Sequence, residues 1–308
     1  MDKYLTVILG SSVDIFYRVE SYPQEGDFSH GMEVGKSAGG CALNVGCIAA
    51  SKGAEVVALD YLKKGDEVTE ILLNAMKENH VNTEYIIQAE DCTDGKVVII
   101  NSGDKRTMLV IDPKRPKYLV DTKMQELLNR SSYIYSLMHV VERSFDSYDY
   151  LKEARKHGAK MIFDGTSQYD DPKRSYLLLS LADGLFINSV DYQKLCDSIA
   201  QDAKEILFDN GCEFVCITEG SDGASCYTKD GKYHAESLAL ENIVDSTGAG
   251  DAFAGAFLYG LLNELNYEKC LRLASVCGAY SCMHNSGLGG CCTVEELLAF
   301  AKEHHYEV

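Results

Sequence analysis

Asp245-Ser246-Thr247-Gly248-Ala249-Gly250-Asp251 is the stretch that decides the fold, because it joins an extended run to a long apolar helix. The extended run covers residues 239–244, and the apolar run covers residues 252–262. Glycine tolerates the backbone angles of a tight turn and lets a ligand approach the main chain. A helix that begins in such a turn points free N–H groups and its positive dipole end into it. The sequence therefore predicts an anion-binding turn at Gly248-Ala249-Gly250.

Asp251 lies at the mouth of this predicted anion site. An acidic residue in the first turn of a helix is a common complement to the helix dipole. The second interpretation is chemical, since a carboxylate beside an anion hole can take a proton from a hydroxyl that attacks a bound phosphate. The rest of the chain has to decide between the two.

Composition limits the class of protein. The chain has 308 residues, 46% of them apolar, which is enough for one large α/β domain or for two smaller ones. The net charge of −18 argues against nucleic acid as a partner, since no positive field is available to displace counterions. No apolar run reaches the ~18 residues that span a membrane, and Leu5–Leu9 is typical of a first strand and not of a signal peptide.

The 12 cysteines are scattered, and no C-x2-C pair occurs among them. A zinc knuckle or a thioredoxin-type site is therefore not expected. We expect reduced thiols in a cytoplasmic protein.

Short apolar runs alternate with helical stretches. The predicted buried strands are Leu5–Leu9, Val56–Leu62, Tyr133–Leu137, Met161–Asp164, Gly184–Asn188 and Phe214–Thr218. The predicted helices lie around 42–52, 67–78, 123–129, 147–157, 191–199, 200–210, 251–265, 267–284 and 294–304. This alternation predicts a three-layer α/β/α sandwich around a mostly parallel sheet.

Two segments break the alternation, at about 14–36 and about 94–112. The second contains the turn Ser102-Gly103-Asp104-Lys105, which is typical of a hairpin. We expect both segments to form a small β-sheet outside the main one. Such a sheet over the strand ends is either a lid that excludes water or a pair of surface hairpins without function.

Four further groups of residues are candidates for binding. Gly39-Gly40 runs into a helix that carries Asn44, and this is either a polyol site or plain helix entry. Asp14 follows the first strand, where a ligand crevice is expected in such sheets, although it also suits a turn. Asn188 and Asp191 fit hard-cation chemistry or a helix N-cap. The run from Thr218 to Gly223 suits a phosphate, a ribose or a hairpin turn.

Together these motifs resemble the ribokinase-type (PfkB) carbohydrate kinase family. The resemblance extends from Gly10 to about Phe300, and its most specific parts are Gly39-Gly40 with Asn44 and the late motif 245–251. It implies one kinase domain over 1–308, a small β lid, ATP as phosphate donor and Mg²⁺ on its terminal phosphates.

The resemblance also implies roles for residues. Asp251 matches the base, and Gly248-Ala249-Gly250 matches the anion hole. The positions that match substrate-binding residues are Asp14, Gly39, Gly40 and Asn44. The positions that match nucleotide-binding residues are Asn188, Thr218, Gly220, Gly223 and Ser275, the last standing where many relatives have Asn. Asp191 replaces the family's usual metal-associated Glu and would reach Mg²⁺ through water, and Asp245 with Thr247 matches a monovalent-cation (K⁺) site of many members.

We therefore expect an enzyme that transfers the γ-phosphate of ATP to a primary hydroxyl of an unphosphorylated sugar. The acidic net charge favours an unphosphorylated sugar over a sugar phosphate. A nucleoside such as pseudouridine and a sugar phosphate are the alternatives within the family, and a catalytically inactive sugar-binding protein is the alternative outside it. The exposed lid edges would permit a homodimer.

Overall fold

The computed structural model describes residues 3–103, 105–165, 172–240 and 242–308, with the backbone alone for 172–175. Its strands are β1 Leu5–Ile8, β2 Ser12–Val19, β3 Gly31–Gly39, β4 Val56–Lys63, β5 Asn82–Ala89, β6 Gly95–Ser102, β7 Lys105–Ile111, β8 Tyr133–Leu137, β9 Lys160–Asp164, β10 Gly184–Asn188, β11 Phe214–Thr218, β12 Ala224–Thr228 and β13 Gly231–Ala235. Its helices are α1 Cys41–Ser51, α2 Glu67–Glu78, α3 Thr122–Arg130, α4 Met138–Ser144, α5 Asp149–Lys156, α6 Pro172–Leu179, α7 Ser189–Ile199, α8 Ala203–Asp209, α9 Ala249–Leu262, α10 Tyr267–Ser281 and α11 Val294–Glu303.

In the described part of the chain, nine strands form one sheet in the order β13-β12-β11-β10-β9-β8-β1-β4-β5. The strands from β11 to β5 are parallel, and only β12 and β13 are antiparallel. The chain builds outward from β1 in two directions, through β4 and β5 on one side and through β8 to β11 on the other. Because such crossovers are right-handed, the connecting helices of the two arms cover opposite faces. The predicted α/β architecture with a mostly parallel sheet is confirmed.

Some elements differ from the sequence-based expectation. Strand β5 was not predicted, because it lies at the sheet edge and its sequence mixes polar with apolar residues. The short helix α4 and the hairpin of β12 and β13 were also not predicted. The described residues of the run 239–244 form no strand, and Glu241 lies outside the described residues. The N–H of Val244 donates instead to the carbonyl of Cys282 after α10, at 2.9 Å.

The remaining four strands of the described chain form a small sheet in the order β3-β2-β6-β7. They fall within or beside the two segments predicted at about 14–36 and 94–112. Ser102 and Lys105 are paired across β6 and β7, as the predicted hairpin requires. Asp104 of that turn lies outside the described residues.

Helix α9 is fixed on the main sheet by aromatic packing. The ring centroids of Phe253 and Phe257 lie 6.2 and 5.3 Å from that of Phe186 on β10. The Phe257 centroid also lies 5.2 Å from that of Phe214 on β11. These contacts hold the start of α9 beside the carboxyl ends of β10 and β11, where ligands bind in open α/β sheets.

This packing leaves no room for a side chain at Gly184, the first residue of β10. An added Cβ would lie 2.5 Å from Cε1 of Phe214 and 2.9 Å from Cδ1 of Ile162. We expect Gly184→Ala to lower the free energy of unfolding by about 1–3 kcal/mol, because overpacking displaces buried rings. Gly35→Ala is the control, since nothing lies within 4 Å of its Cβ position, and it should change stability by less than about 0.5 kcal/mol. Urea denaturation measures both, and equal stabilities of the two variants would contradict the packing argument.

Candidate active site

The glycine turn at the start of α9 forms an open N-terminus. Gly248 is the N-cap residue with φ 80, in the left-handed region, and it provides no side-chain cap. The first amides of a helix have no partner inside the helix. Nothing lies within 4 Å of the Cβ position of Gly250, so this face of the turn is open to a ligand. The turn therefore leaves the first N–H groups of α9 uncapped on an open face.

Asp251 follows the turn, and its carboxylate is held between α9 and α1. The residue is 9% exposed, and its Oδ2 accepts a hydrogen bond from Nδ2 of Asn44 at 2.7 Å. Cys41 of α1 also acts on this carboxylate. Burial raises the pKa of Asp251 to about 6; Asn44 and Cys41 oppose this shift and the charge of Asp14 adds to it. The structure thus provides a carboxylate that is ionised at neutral pH but more basic than usual.

Asn44 has an unsatisfied atom beside this carboxylate. Its Oδ1 is buried and accepts no hydrogen bond from the described residues, whereas its Nδ2 is bound to Asp251. A buried acceptor without a partner is costly. A ligand hydroxyl at this point would donate to the oxygen of Asn44.

Asp14 lies on β2 of the small sheet, close enough for its charge to affect Asp251. Burial raises the pKa of Asp14 to about 6, and Arg106 opposes this shift. Protein atoms occupy the space where Gly39 and Gly40 would carry a side chain. A Cβ on Gly39 would lie 2.8 Å from both Asp14 carboxylate oxygens, and one on Gly40 would lie 3.0 Å from the Gly10 carbonyl oxygen. A side chain at either position would therefore displace Asp14 or the entry to α1.

Ser37 was not identified from the sequence as a site residue. It faces Asp14 across β2 and β3, and its Oγ is buried without a partner among the described residues. The signal was the pairing of the two small-sheet strands, which places Ser37 opposite Asp14 on one face. Sequence spacing alone does not give that register.

A cavity of about 900 Å³ extends from the other side of the glycine turn. Its lining includes all five residues predicted to bind nucleotide, namely Asn188, Thr218, Gly220, Gly223 and Ser275. Ala249 and Gly250 line its inner end. A cavity of this size is at the upper end of the range for small-molecule sites. The carboxylate cluster and the cavity therefore meet at the turn.

Asp191 is engaged by its neighbours. Its backbone N–H donates to Oδ1 of Asn188 at 2.8 Å, and its Oδ2 accepts from Nδ2 of Asn188 at 2.7 Å. Its Oδ1 accepts from Lys194 at 2.9 Å. Of the two interpretations from the sequence, the structure shows the N-cap arrangement.

Asp245 and Thr247 are in contact with each other and with the small sheet. Oδ1 of Asp245 accepts from the backbone N–H and the hydroxyl of Thr247 at 2.9 and 2.7 Å. Nη1 of Arg106 on β7 donates to the Thr247 hydroxyl at 2.8 Å and lies 4.0 Å from Asp245. The Arg106 guanidinium of the small sheet therefore contacts the glycine motif through Thr247.

Metal ligands are sparse around the site. Within the described ranges, no group of three or more His, Cys, Asp or Glu side chains is placed to hold a metal ion. Mg²⁺ often keeps waters and binds through one or two carboxylates together with substrate phosphates. The residues around this site fit only an Mg²⁺ ion that keeps waters and binds through one or two carboxylates together with substrate phosphates.

Comparison with known proteins places the chain in a family. The profile described as "pfkB family carbohydrate kinase" matches residues 4–290. The chain belongs to this family of carbohydrate kinases. It is accordingly a phosphotransferase with an alcohol group as acceptor.

Individual relatives agree with this assignment. A ribokinase of Mus musculus is 25% identical over 290 residues, covering 89% of this chain and 88% of the relative. An aminoimidazole riboside kinase of Salmonella typhimurium is 25% identical over 260 residues, covering 80% and 81%. The structure of Arabidopsis thaliana ribokinase with ribose and ATP has a TM-score of 0.84 at 19% identity and covers 98% of this chain and 99% of that one. Among the helices that the structure describes, none combines the length with the apolar character that a membrane crossing requires.

Gly287 is a second residue that the sequence did not indicate. A Cβ on it would collide with Nδ2 of Asn44, and one on Gly248 would lie 2.7 Å from the Gly287 carbonyl oxygen. Gly287 thus holds both the turn and the Asn44 amide in place. Only the packing of the segment after α10 against α1 reveals this role.

We expect Gly287→Ala to lower kcat by about 10²-fold, because displacement of a positioning group by about 1 Å has an effect of this size. The protein should still fold, and its far-UV circular dichroism checks this. The control is Gly26→Ser, in an exposed turn between β2 and β3. Because φ at this position is 81, the serine there adopts a modestly strained backbone. A variant at 287 with unchanged kcat would show that Asn44 does not depend on this contact.

Proposed function

We propose that this protein is an ATP-dependent kinase that phosphorylates a hydroxyl, a primary one, of an unphosphorylated sugar. The supporting observation is the Asp251–Asn44 pair, whose amide oxygen is buried without a partner among the described residues and would accept from a substrate hydroxyl. This pair adjoins the glycine turn, which opens into a cavity large enough for a nucleotide. The acceptor and the phosphate donor would therefore meet at residues 248–251.

Asp251 acts as the general base in this proposal. With a pKa of about 6 it is mostly ionised at pH 7, yet it is far too weak to ionise an alcohol beforehand. It therefore accepts the hydroxyl proton as the new P–O bond forms, as expected for a loose phosphoryl transition state. Its raised pKa makes it a better proton acceptor than an ordinary carboxylate at neutral pH.

The amides of the turn bind the oxygens of the transferred group. Gly250 and Asp251 direct their N–H groups and the helix dipole to that point, where one such donor contributes about 3 kcal/mol in other enzymes. When bound, ATP supplies the phosphoryl group and Mg²⁺ neutralises charge on its phosphates. Asp191 would reach that ion through water, and Asn188, Thr218, Gly220, Gly223 and Ser275 would hold the nucleotide.

The acceptor side favours a neutral polyol. Asp14, Ser37 and Asn44 offer hydrogen-bonding groups, and the two carboxylates of Asp14 and Asp251 make the pocket unfavourable for a second phosphate. Lys36 of the small sheet is bound to Glu67 at 2.9 Å. These residues support an unphosphorylated sugar as the substrate.

A nucleoside is the second candidate. Phe28 in the connection between β2 and β3 is 76% exposed, and a base could stack on it when the small sheet closes. The aminoimidazole riboside kinase of Salmonella typhimurium is a relative whose name indicates such a substrate.

The small sheet is proposed to be the lid, with Arg106 bridging it to the glycine motif. Asp245 and Thr247 are proposed to hold a monovalent cation such as K⁺ beside the turn. Apolar side chains on β3 and β7 are exposed, and the lid is a candidate surface for a homodimer. The twelve cysteines, all described, are unpaired, which supports a cytoplasmic location.

The proposal is tested by ATP-dependent ADP release with a panel of pentoses, hexoses, their phosphates and nucleosides. We expect turnover with an unphosphorylated sugar. Asp251→Asn should lower kcat by about 10²–10⁴-fold, because the proton acceptor is lost, while ATP binding measured by calorimetry is retained. Asp209→Asn, at the exposed end of α8, is the control and should match wild type.

Two outcomes would refute this scheme. Near-wild-type kcat in Asp251→Asn would exclude Asp251 as the base. ATP binding without ADP release on any acceptor would instead support an inactive sugar-binding protein.

The pKa of Asp251 predicts the pH dependence. The base is active as a carboxylate, so kcat/KM should fall as the pH drops through about 6, whereas an ordinary aspartate would give a limb near ~4. Asp14 also has a pKa of about 6, so the observed limb belongs to the pair. Asp14→Asn should move the limb to lower pH, because the Asp14 charge raises the pKa of Asp251. A limb near pH 4 in the wild type would contradict the assignment.

A further inference from the structure

A second cavity lies where the small sheet joins the main sheet. Its volume is about 190 Å³, and neither Asp251 nor Asn44 lines it. The chain passes between the two sheets through four connections, which follow β1, β3, β5 and β7. Residues 10–11 of the first connection, Gly95 at the end of the third, and residues 112–113 and 115–116 of the fourth line this junction cavity.

A buried ion pair forms one wall of the junction cavity. Nη1 of Arg115 lies 2.8 Å from Oδ1 of Asp60, and the two side chains are 14% and 1% exposed. Nη2 of Arg115 donates to the Ser11 carbonyl oxygen at 2.7 Å. Oδ1 of Asp60 also accepts from the Tyr61 N–H at 2.8 Å, and its Oδ2 accepts from the hydroxyl and the N–H of Ser11. Both carboxylate oxygens of Asp60 are therefore satisfied by the protein.

The guanidinium of this pair has a donor to spare. Nε of Arg115 is buried and has no hydrogen-bond partner among the described residues. A guanidinium carries five N–H donors in one plane and no acceptor. A buried donor without a partner is costly. Because Arg115 lines the junction cavity, an oxygen of a ligand there is the acceptor that this group lacks.

The charges around the cavity favour one kind of acceptor. At its mouth, Nη1 of Arg143 lies 2.9 Å from Oδ1 of Asp112, and both side chains are exposed. Burial raises the pKa of Asp60 to about 6 while Arg115 opposes the shift, so Asp60 is mostly ionised at pH 7. Two carboxylates thus oppose a dianion such as phosphate. A single carboxylate matches the planar fork of an arginine.

The size and the walls of the cavity describe the rest of the ligand. Pockets for drug-sized molecules have volumes of about 300–1,000 Å³, so this ligand is smaller. Much of the lining is apolar or aromatic, and the ring centroids of Tyr61 and Tyr118 are 5.1 Å apart. The apolar and aromatic lining residues are Leu9, Tyr61, Val110, Ile111, Pro113, Pro116, Tyr118 and Val140.

We propose that the junction cavity is a binding site for a small carboxylic acid with an apolar body, whose carboxylate accepts from the Arg115 guanidinium. The ligand completes the hydrogen bonds of Arg115 without breaking the pair with Asp60. Its apolar body is removed from water against the aromatic and aliphatic walls.

Ser11 connects this site to the active site. Its carbonyl oxygen lies 3.0 Å from the Cβ position of Gly95, which begins β6. Its Cα lies 3.0 Å from the Cβ position of Gly40, the N-cap of the helix that carries Asn44. In this same arrangement the small sheet contacts the glycine motif. A ligand that binds this arrangement best stabilises it. The bound acid therefore lowers the KM for the acceptor, a consequence that rests on the proposed function.

The binding test is an NMR titration of the full-length protein with benzoate, with benzamide as the neutral analogue and inorganic phosphate as the dianion. We expect the Kd for benzoate to be lower than that for benzamide by about tenfold or more, because the bond to Arg115 is charge-assisted. Saturating ATP should not displace benzoate. Equal affinity for benzamide, preference for phosphate, displacement by ATP, or no binding of benzoate would each overturn the proposal.

Two adjacent residues of β7 locate the site. Val110 lines the junction cavity and Leu109 does not, although both side chains are exposed. Neighbouring strand residues point to opposite faces of a sheet. Val110→Trp should therefore obstruct the cavity and raise the Kd for benzoate by about tenfold or more, whereas Leu109→Trp should leave it unchanged. The same benzoate affinity in both variants would contradict this location.

Arg115→Lys tests the guanidinium, because it keeps a positive charge beside Asp60 and loses the planar fork. We expect the Kd for benzoate to rise by about tenfold or more. Lys114→Arg, at the neighbouring position that does not line the cavity, is the control and should bind as wild type does. Unchanged affinity in a folded Arg115→Lys would refute the role of Arg115. If Arg115→Lys does not fold, the two tryptophan variants still decide the proposal.

The effect on the active site is measured by ADP release. Saturating benzoate should lower the KM for the acceptor several-fold in wild type and in Leu109→Trp, but not in Val110→Trp. An unchanged KM with the site occupied would disprove the coupling through Ser11. No ADP release with any acceptor would count against the proposed function alone, since benzoate binding is measured without turnover.

Discussion

The close crossing of α1 and α9 is the contact on which the site depends. It occurs at Gly255, whose Cβ position lies 2.8 Å from Cγ2 of Ile48 and 2.9 Å from the Val45 carbonyl oxygen. A larger residue would separate the helices, and Asn44 could then no longer reach Asp251. The hydrogen bond at 2.7 Å between these two side chains is thus a consequence of backbone proximity. The hydrophobic core of α9 supplies the stability that permits it, since Phe253 and Phe257 fix the helix on the sheet.

The crossing of α1 and α9 also buries a carboxylate, and this burial raises the pKa of that group. Asp251 is a buried carboxylate that accepts a hydrogen bond from the Asn44 amide, and among the described residues no cation pairs with it. Neutral donors only partly offset the cost of burial, so its pKa stays near 6. Arg106, a nearby positive charge, is bound to Thr247 and partly opposes the rise in the pKa of Asp14 that burial causes. A guanidinium on Asp251 would make it a weaker base and would lower the proton affinity that its proposed role in phosphoryl transfer requires.

Local patterns in the sequence predicted much of the fold, but not the long-range contacts. Tyr133–Leu137, Gly184–Asn188 and Phe214–Thr218 are strands with the predicted bounds, because buried parallel strands are uniformly apolar. Thr218 and Gly220 line the cavity beside the glycine turn, since strand ends in such sheets converge on one edge. Ser37 and Gly287 were not predicted, because strand register and the packing of a late segment on α1 brought them to the site.

The segment after α10 contacts both the candidate active site and the buried Lys52. Gly287 contacts Asn44 and the glycine turn, Gly290 packs on Ala252 and accepts from Lys52, and Cys292 contacts the same lysine. Since interiors are close-packed, a segment in contact with both the glycine turn and Lys52 cannot adjust to one without displacing the other. The carbonyls that satisfy Lys52 therefore also fix the position of Gly287. The buried lysine thus supports the position of the candidate active site through these carbonyls.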